Sequence, residues 1–146
     1  MAKTSSSKTS RKRAAQKAPA EGRHRVVIEA PTPVVDGGRY PAKRIIGDRV
    51  EVEADIFADG HDAIRAQILY RRGGQHSWRR AEMHPLINDR WRGEFVVDTL
   101  GTHEFIISAW IDRFGTWRTA LLKKHEANQD VESHLHAGLE LIDEAI

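Results

Sequence analysis

Arg49-Val50-Glu51-Val52-Glu53-Ala54-Asp55-Ile56-Phe57 is the stretch that decides the fold class. Apolar and charged side chains alternate from Arg49 through Ile56. Val50, Val52, Ala54 and Ile56 fall on one face, and Glu51, Glu53 and Asp55 on the other. In a strand, successive side chains point to opposite faces, so this pattern describes a half-buried antiparallel strand. Ile64–Arg71 repeats it, with Ile64, Ala66, Ile68 and Tyr70 inward. On the N-terminal side, Arg25–Ala30 is a short apolar strand bounded by Pro31 and Pro33, which cannot donate inside a ladder. Further candidates are Trp78–Met83, Asp89–Val97 and Thr102–Ile111, the last being the longest expected strand. Turn signals at Asp36-Gly37-Gly38, Asp59-Gly60, Arg72–Gly74 and Leu100-Gly101 separate them.

Strands recurring every 8–12 residues or so, each followed by Gly or Pro, are the signature of a sandwich or barrel. About seven fit between Arg25 and Lys123, and no helical period intervenes. The expected fold is all-β, an immunoglobulin-like antiparallel β-sandwich over residues 23–124. The pattern changes after His125. Val131, Leu135, Leu139 and Ile142 lie at helical spacing, with Asn128 or Asp130 able to cap the start. Val131–Ile146 therefore reads as one amphipathic helix, the start of a helical insertion over 125–146. Its apolar stripe needs the sandwich, another chain or missing sequence to cover it, so the ending reads as a truncation.

The chain has 146 residues, 40% of them hydrophobic and 30% charged, which is a globular composition of single-domain size. A (β/α)8 barrel, which takes about 250 residues, is excluded. The absence of cysteine removes disulfides, thiol nucleophiles and thiolate metal sites. No apolar run is long enough for a membrane span, and no membrane partner is expected. Of the 23 Lys and Arg, six lie in Met1–Ala20, which holds no acid. The other 17 face 21 acids, so the body carries −4 and the basic balance belongs to the tail. Residues 1–22 read as a solvated, disordered basic extension, because they lack the apolar residues that burial needs. A nucleic-acid-touching arm and an organellar transit peptide are weaker readings of the same stretch. No apolar core of a secretory signal is present, and a cytoplasmic protein is expected.

The search for chemistry finds little. There is no phosphate loop, nucleophile elbow, zinc-helix motif or dinucleotide fingerprint. His134 and His136, two apart on a helix, point in nearly opposite directions and cannot share one ion. Asp59-Gly60-His61-Asp62 reads as a turn held by Asx-type hydrogen bonds rather than as a ligand set. Glu51 and Glu53 could be paired carboxylates of the kind glycoside chemistry uses. Alternation puts both on the solvated face, where nothing should move their pKa values. No catalytic residue, metal site or cofactor is expected. Four tryptophans are more suggestive: Trp78, Trp91, Trp110 and Trp117. Trp110 is out of phase with the inward row His103, Phe105, Ile107 and Ala109, and so faces away from it. Trp110 and Trp117 are the candidate sugar or interface contacts.

A set of stretches recurs in a fixed order, beginning with Pro33-Val34-Val35-Asp36-Gly37-Gly38-Arg39-Tyr40-Pro41-Ala42-Lys43. In order follow Gly47-Asp48, Ile56-Phe57-Ala58-Asp59-Gly60-His61-Asp62, Asn88-Asp89-Arg90-Trp91, Gly101-Thr102 with Phe105, Ala109-Trp110 with Asp112, and Thr116-Trp117-Arg118. Together these stretches resemble the α-1,4-glucan:maltose-1-phosphate maltosyltransferases, a bacterial branch of the α-amylase superfamily. The resemblance runs from about Arg25 to the C-terminus and leaves out the basic tail. It implies the N-terminal β-sandwich of such an enzyme, preceding a (β/α)8 catalytic barrel, leading into a helical insertion and taking part in homodimer formation.

The whole enzyme implied is a retaining transferase. It moves maltosyl from maltose 1-phosphate to the non-reducing end of an α-1,4-glucan through a covalent glycosyl–enzyme intermediate. Its nucleophilic Asp, acid/base Glu and third carboxylate belong to the barrel, so none transfers to a position here. Maltose 1-phosphate and glucan would be bound by that barrel, and this chain alone is expected to be non-catalytic. The alternative is a stand-alone β-sandwich carbohydrate-binding module for α-glucan. A basic arm on nucleic acid is the least favoured.

Overall fold

A computed structural model describes residues 26–144, so the basic tail and its expected disorder lie outside the described residues. Six strands form one antiparallel sheet: β1 (Val26–Thr32), β2 (Arg49–Ala58), β3 (Ile64–Arg72), β4 (Arg79–Pro85), β5 (Arg90–Val96) and β6 (His103–Ile111). Their order across the sheet is β1-β2-β5-β4-β3-β6. Two three-stranded halves meet only where His84 and Pro85 of β4 pair with Arg92 and Trp91 of β5. There the sheet folds over on itself. β1 and β6, its two ends, approach each other without pairing, leaving a nearly closed sandwich. The all-β expectation holds.

The alternating strand does what its pattern predicts. Val50, Val52, Ala54 and Ile56 are buried, and β3 answers with Ala66 and Ile68. Met83 of β4, Trp91 and Phe95 of β5 and the following Val97 complete the core. The Trp91 indole nitrogen donates to the carbonyl of Ile56, 3.1 Å away, so this tryptophan fills core volume with its polar atom satisfied. Gly93 is required between the layers. A Cβ there would lie 2.8 Å from the Glu82 carbonyl oxygen and 2.8 Å from Ile68 Cδ1. The β4–β5 hairpin turns on Asn88 and Asp89, at φ 54° and 59°, a pair of left-handed residues that suits the twist of a two-residue loop.

The outer face of β2 and β5 carries a charge ladder. Arg90 donates to Glu53 and Asp55, both at 3.0 Å, and to the carbonyl of Ala30 at 3.1 Å. Arg92 donates to Glu53 at 2.7 Å and lies 3.4 Å from Glu51. The two carboxylates expected to be simply solvated are thus neutralised by facing arginines. Hydrogen bonds from Arg92 and then Arg90 hold the Glu53 carboxyl below its usual value, which corrects the expectation of an unmoved pKa. Arg90 also fastens the edge strand. β1 shifts register between Glu29 and Thr32, a bulge at Ala30 (φ 46°) and Pro31, and the freed Ala30 carbonyl is one that Arg90 holds. β1 therefore runs through Pro31 rather than stopping before it.

The main correction lies after β6. Of about seven expected strands, six form among the described residues, and β2 is the longest with 10 residues. Residues expected to continue the sandwich form helix α1 (Arg113–Glu126) instead. Asp112 is the physical reason. Its Oδ1 accepts the Gly115 backbone N–H at 2.8 Å, capping the helix, and Thr116 Oγ1 accepts the Ala63 N–H at 2.8 Å, tying the first turn to the β2–β3 connection. Helix α2 (Glu132–Asp143) follows where the single C-terminal helix was expected, and Asp130 accepts the Glu132 N–H at 3.0 Å.

Candidate functional site

Three surfaces stand out among the described residues: the helical hairpin, the outer face around Trp110, and a groove under the β1–β2 connection. Among the described residues no group of three or more His, Asp or Glu is placed to hold a metal ion. No helix of them is long and apolar enough to cross a membrane.

The hairpin is built around Trp117. Its ring meets Gly138 of α2 so closely that a Cβ there would sit 2.1 Å from Trp117 Cζ2. The indole N–H donates to the carbonyl of His134 at 2.6 Å, and Phe114 packs on the ring with centroids 5.2 Å apart. Arg113 pairs with Glu144 at 2.7 Å across the helix ends. α2 therefore faces α1 with His134, Gly138 and Leu141, at a helical spacing of four and three. The stripe expected to seek cover, Leu135, Leu139 and Ile142, is 50%, 60% and 45% exposed. Phe114 and Leu122 of α1 are exposed as well. His134 meets Lys124 through Nδ1 at 3.4 Å, whereas His136 is exposed, so the two histidines part as their spacing requires. At the hairpin's base, Asp112 is held below the usual carboxylate range by the Gly115 N–H and, after it, by Arg65 Nε at 2.8 Å, against the opposing effect of burial.

Trp110 and Trp117, the two tryptophans singled out from the sequence, lie in different surroundings. Trp117 is half-buried as the interhelical contact just described. Trp110 stands on the outer face of β6, opposite Arg65 of β3, with the rest of that face supplied by Ile106, Leu69, Ser108 and Gln67. Trp78 is covered by the Arg71 guanidinium, 4.2 Å above its ring.

The groove went unread in the sequence. After β1 the chain turns through a 3-10 turn, Asp36–Gly38, in which Gly37 and Gly38 take φ of 63° and 87°, and returns over the end of the sandwich before β2 begins. Asp48 Oδ2 accepts the Ile45 N–H at 3.0 Å and fixes the return. Beneath it opens a groove of about 890 Å³. Val50, Phe95, Val97 and Phe105 line it from the core, Val35, Tyr40 and Ile45 from the loop, and His103 from β6. Phe95 stacks on Tyr70, centroids 4.5 Å apart, which stiffens the floor. The signal that could have found it is His103 itself, a polar residue in the inward apolar row of its strand.

Comparison with known proteins follows the same boundaries. Residues 24–146 match the family model for domain N/S of the alpha-1,4-glucan:maltose-1-phosphate maltosyltransferases. A maltosyltransferase of that name from Chlorobaculum tepidum is 47% identical over 125 residues, covering 86% of this chain and 19% of the relative. One from Myxococcus xanthus is 42% identical over 125 residues, covering 83% of this chain and 19% of its own length. One from Burkholderia pseudomallei is 40% identical over 111 residues, or 76% of this chain and 10% of the relative. The chain thus spans about a fifth or less of the relatives it matches. With the sandwich, the capped helical hairpin and the GGRYPAK loop all inside the matched residues, the chain belongs to the alpha-1,4-glucan:maltose-1-phosphate maltosyltransferase family, in its N/S domain region.

Proposed function

We propose that this chain is the N-terminal accessory and dimerisation region of a cytoplasmic maltosyltransferase that elongates α-1,4-glucans from maltose 1-phosphate. The observation that carries the reading is the match over residues 24–146 to about a fifth of each longer relative. Maltose 1-phosphate and glucan are bound, and maltosyl transferred, by the catalytic barrel that the family places after this region. The region itself is non-catalytic. In support, the described carboxylates with lowered pKa, Glu53, Asp98 and Asp112, are each held by an arginine or a helix cap and are not poised as acid or base. The exposed row of Leu135, Leu139 and Ile142 supports helix-to-helix pairing between copies.

Purified chain, maltose 1-phosphate and glycogen test the first part, and the expected result is no phosphate release. Turnover by the 146-residue chain would overturn it. Sedimentation tests the second, with a concentration-dependent dimer expected that Leu139→Lys disperses; a monomer at all concentrations removes the dimerisation role. The exposure of Trp110 favours a second reading, an α-glucan-binding module. It predicts retention on an amylose column that Trp110→Ala weakens, whereas Trp117→Ala loosens the hairpin.

A further inference from the structure

β6 is the last strand of the sheet, and among the described residues it pairs only with β3. Which of its backbone groups that pairing uses follows from the bonds at its two ends. The Gly73 N–H donates to the Thr102 carbonyl and the Asp112 N–H to the Ala63 carbonyl, each at 2.7 Å and each in the β3–β6 register. Hydrogen-bonded pairs alternate along an antiparallel ladder, so Glu104, Ile106, Ser108 and Trp110 turn their N–H and C=O groups to β3. Those of Phe105, Ile107 and Ala109 point to the far side. No strand of the described residues takes them up, since β1 approaches β6 but forms no ladder with it.

The helical hairpin brings the chain back to this edge. α1 begins directly after β6, with only Asp112 between them. α2 returns along α1 until Glu144 pairs with Arg113 at 2.7 Å, and Glu144 and Ile111 line one hollow at the foot of the hairpin. A continuation from Glu144 thus starts beside the end of β6 and is placed to run opposite to it. On the proposed reading of the chain as the leading part of a longer protein, we infer that the open edge of β6 seats a further antiparallel strand, supplied by the same polypeptide after it leaves α2. α1 and α2 are then an insertion between two neighbouring strands, and not an appendage to the sandwich. A strand matching all nine residues of β6 would carry its inward side chains past Phe105 to the apolar groove, whose loop side leaves Tyr40 and Ile45 exposed. A second copy paired edge to edge would meet the same backbone groups, but it would not account for the hairpin's foot lying beside Ile111.

The test is amide hydrogen exchange resolved to single residues, on the 146-residue chain and on the whole Chlorobaculum tepidum relative, of which this chain covers 19%. In the 146-residue chain slow and fast amides should alternate along β6: Glu104, Ile106, Ser108 and Trp110 slow, Phe105, Ile107 and Ala109 fast. In the relative the alternation should be lost. The positions matched to Phe105, Ile107 and Ala109 should slow to the rate of their neighbours, together with a stretch of comparable length beyond the matched region. Fast exchange retained at those positions in the relative, or slowing there without such a stretch, would overturn the inference. So would slow exchange at Phe105, Ile107 and Ala109 in the 146-residue chain; if it grew with protein concentration, a second copy would be the occupant. Turnover by the 146-residue chain or a missing dimer would count against the proposed function while leaving these rates unchanged, so the two fail separately.

Discussion

Replacing Gly138 by alanine opposes two effects of known sign. In a helix interior alanine is favoured over glycine by about 1 kcal/mol, so an unobstructed position would gain that amount. The structure obstructs it. The added Cβ would lie 2.1 Å from Trp117 Cζ2 and 2.5 Å from Cε2, against ring carbons that cannot yield like the tip of a flexible chain. The ring must move as a body, and in moving it gives up the 2.6 Å hydrogen bond from its N–H to His134. Overpacking of this kind costs about 1–3 kcal/mol and the lost hydrogen bond about 1 more. Against the propensity gain, Gly138→Ala should destabilise the hairpin by about 1–3 kcal/mol. Hydrogen exchange of α2 amides measures this locally, and Trp117 fluorescence should shift to the red as the ring is released. A thermodynamic cycle makes the argument exacting. In a Trp117→Ala background the same Gly138→Ala change meets no ring and should stabilise α2 by about 1 kcal/mol. If Gly138→Ala raises α2 protection while Trp117 is present, the packing described for the hairpin is wrong.

Gly93→Ala brings a Cβ to 2.8 Å from both the Glu82 carbonyl and Ile68, and should cost about 1–3 kcal/mol in thermal or chemical unfolding with no change of secondary structure. Asp112→Ala removes the α1 cap and should cost about 0.5–2 kcal/mol, seen as earlier exchange of the Gly115 and Thr116 amides. Glu53 has a folded pKa below its ordinary 4.5, so its stabilising contribution is present above that value and is lost as pH falls through the lowered one. Glu53→Gln should therefore flatten the acid side of the stability–pH profile and leave its neutral-to-alkaline side parallel to that of the unsubstituted chain.

The strands were legible because each buries one face: Val50, Val52, Ala54 and Ile56 announce both the element and its orientation, and β3 does the same. α1 was not, because Arg113-Phe114-Gly115-Thr116-Trp117 contains aromatic and β-branched residues common in strands together with a glycine that weakens a helix. The deciding fact, Asp112 accepting the Gly115 N–H, is local, and an Asp three residues before the first turn's glycine was there to be read. The α2 stripe was correctly located, but its partner could not be inferred, since the helix uses its small-residue face toward α1 and leaves the leucines outward. Glu53 shows the limit of alternation. The pattern told which face it occupies, while the pairing that sets Arg90 and Arg92 against it arises from the β2–β5 register. Among the candidate contacts, the exposure of Trp110 follows from its phase, whereas the seating of Trp117 on Gly138 needed the hairpin.

The bulged, proline-bearing margin at β1 has a consequence for how such sheets misassemble. Polymerisation by sheet extension is heterologous: one molecule's last strand must accept the next molecule's first, and so on without closure. Here the leading margin carries Pro31 within the strand and is bent at Ala30, two features that oppose the propagation of a fibre from it. The opposite margin, β6, could still meet its own copy about a twofold axis. Such a union uses up both accepting edges at once and ends growth at two molecules.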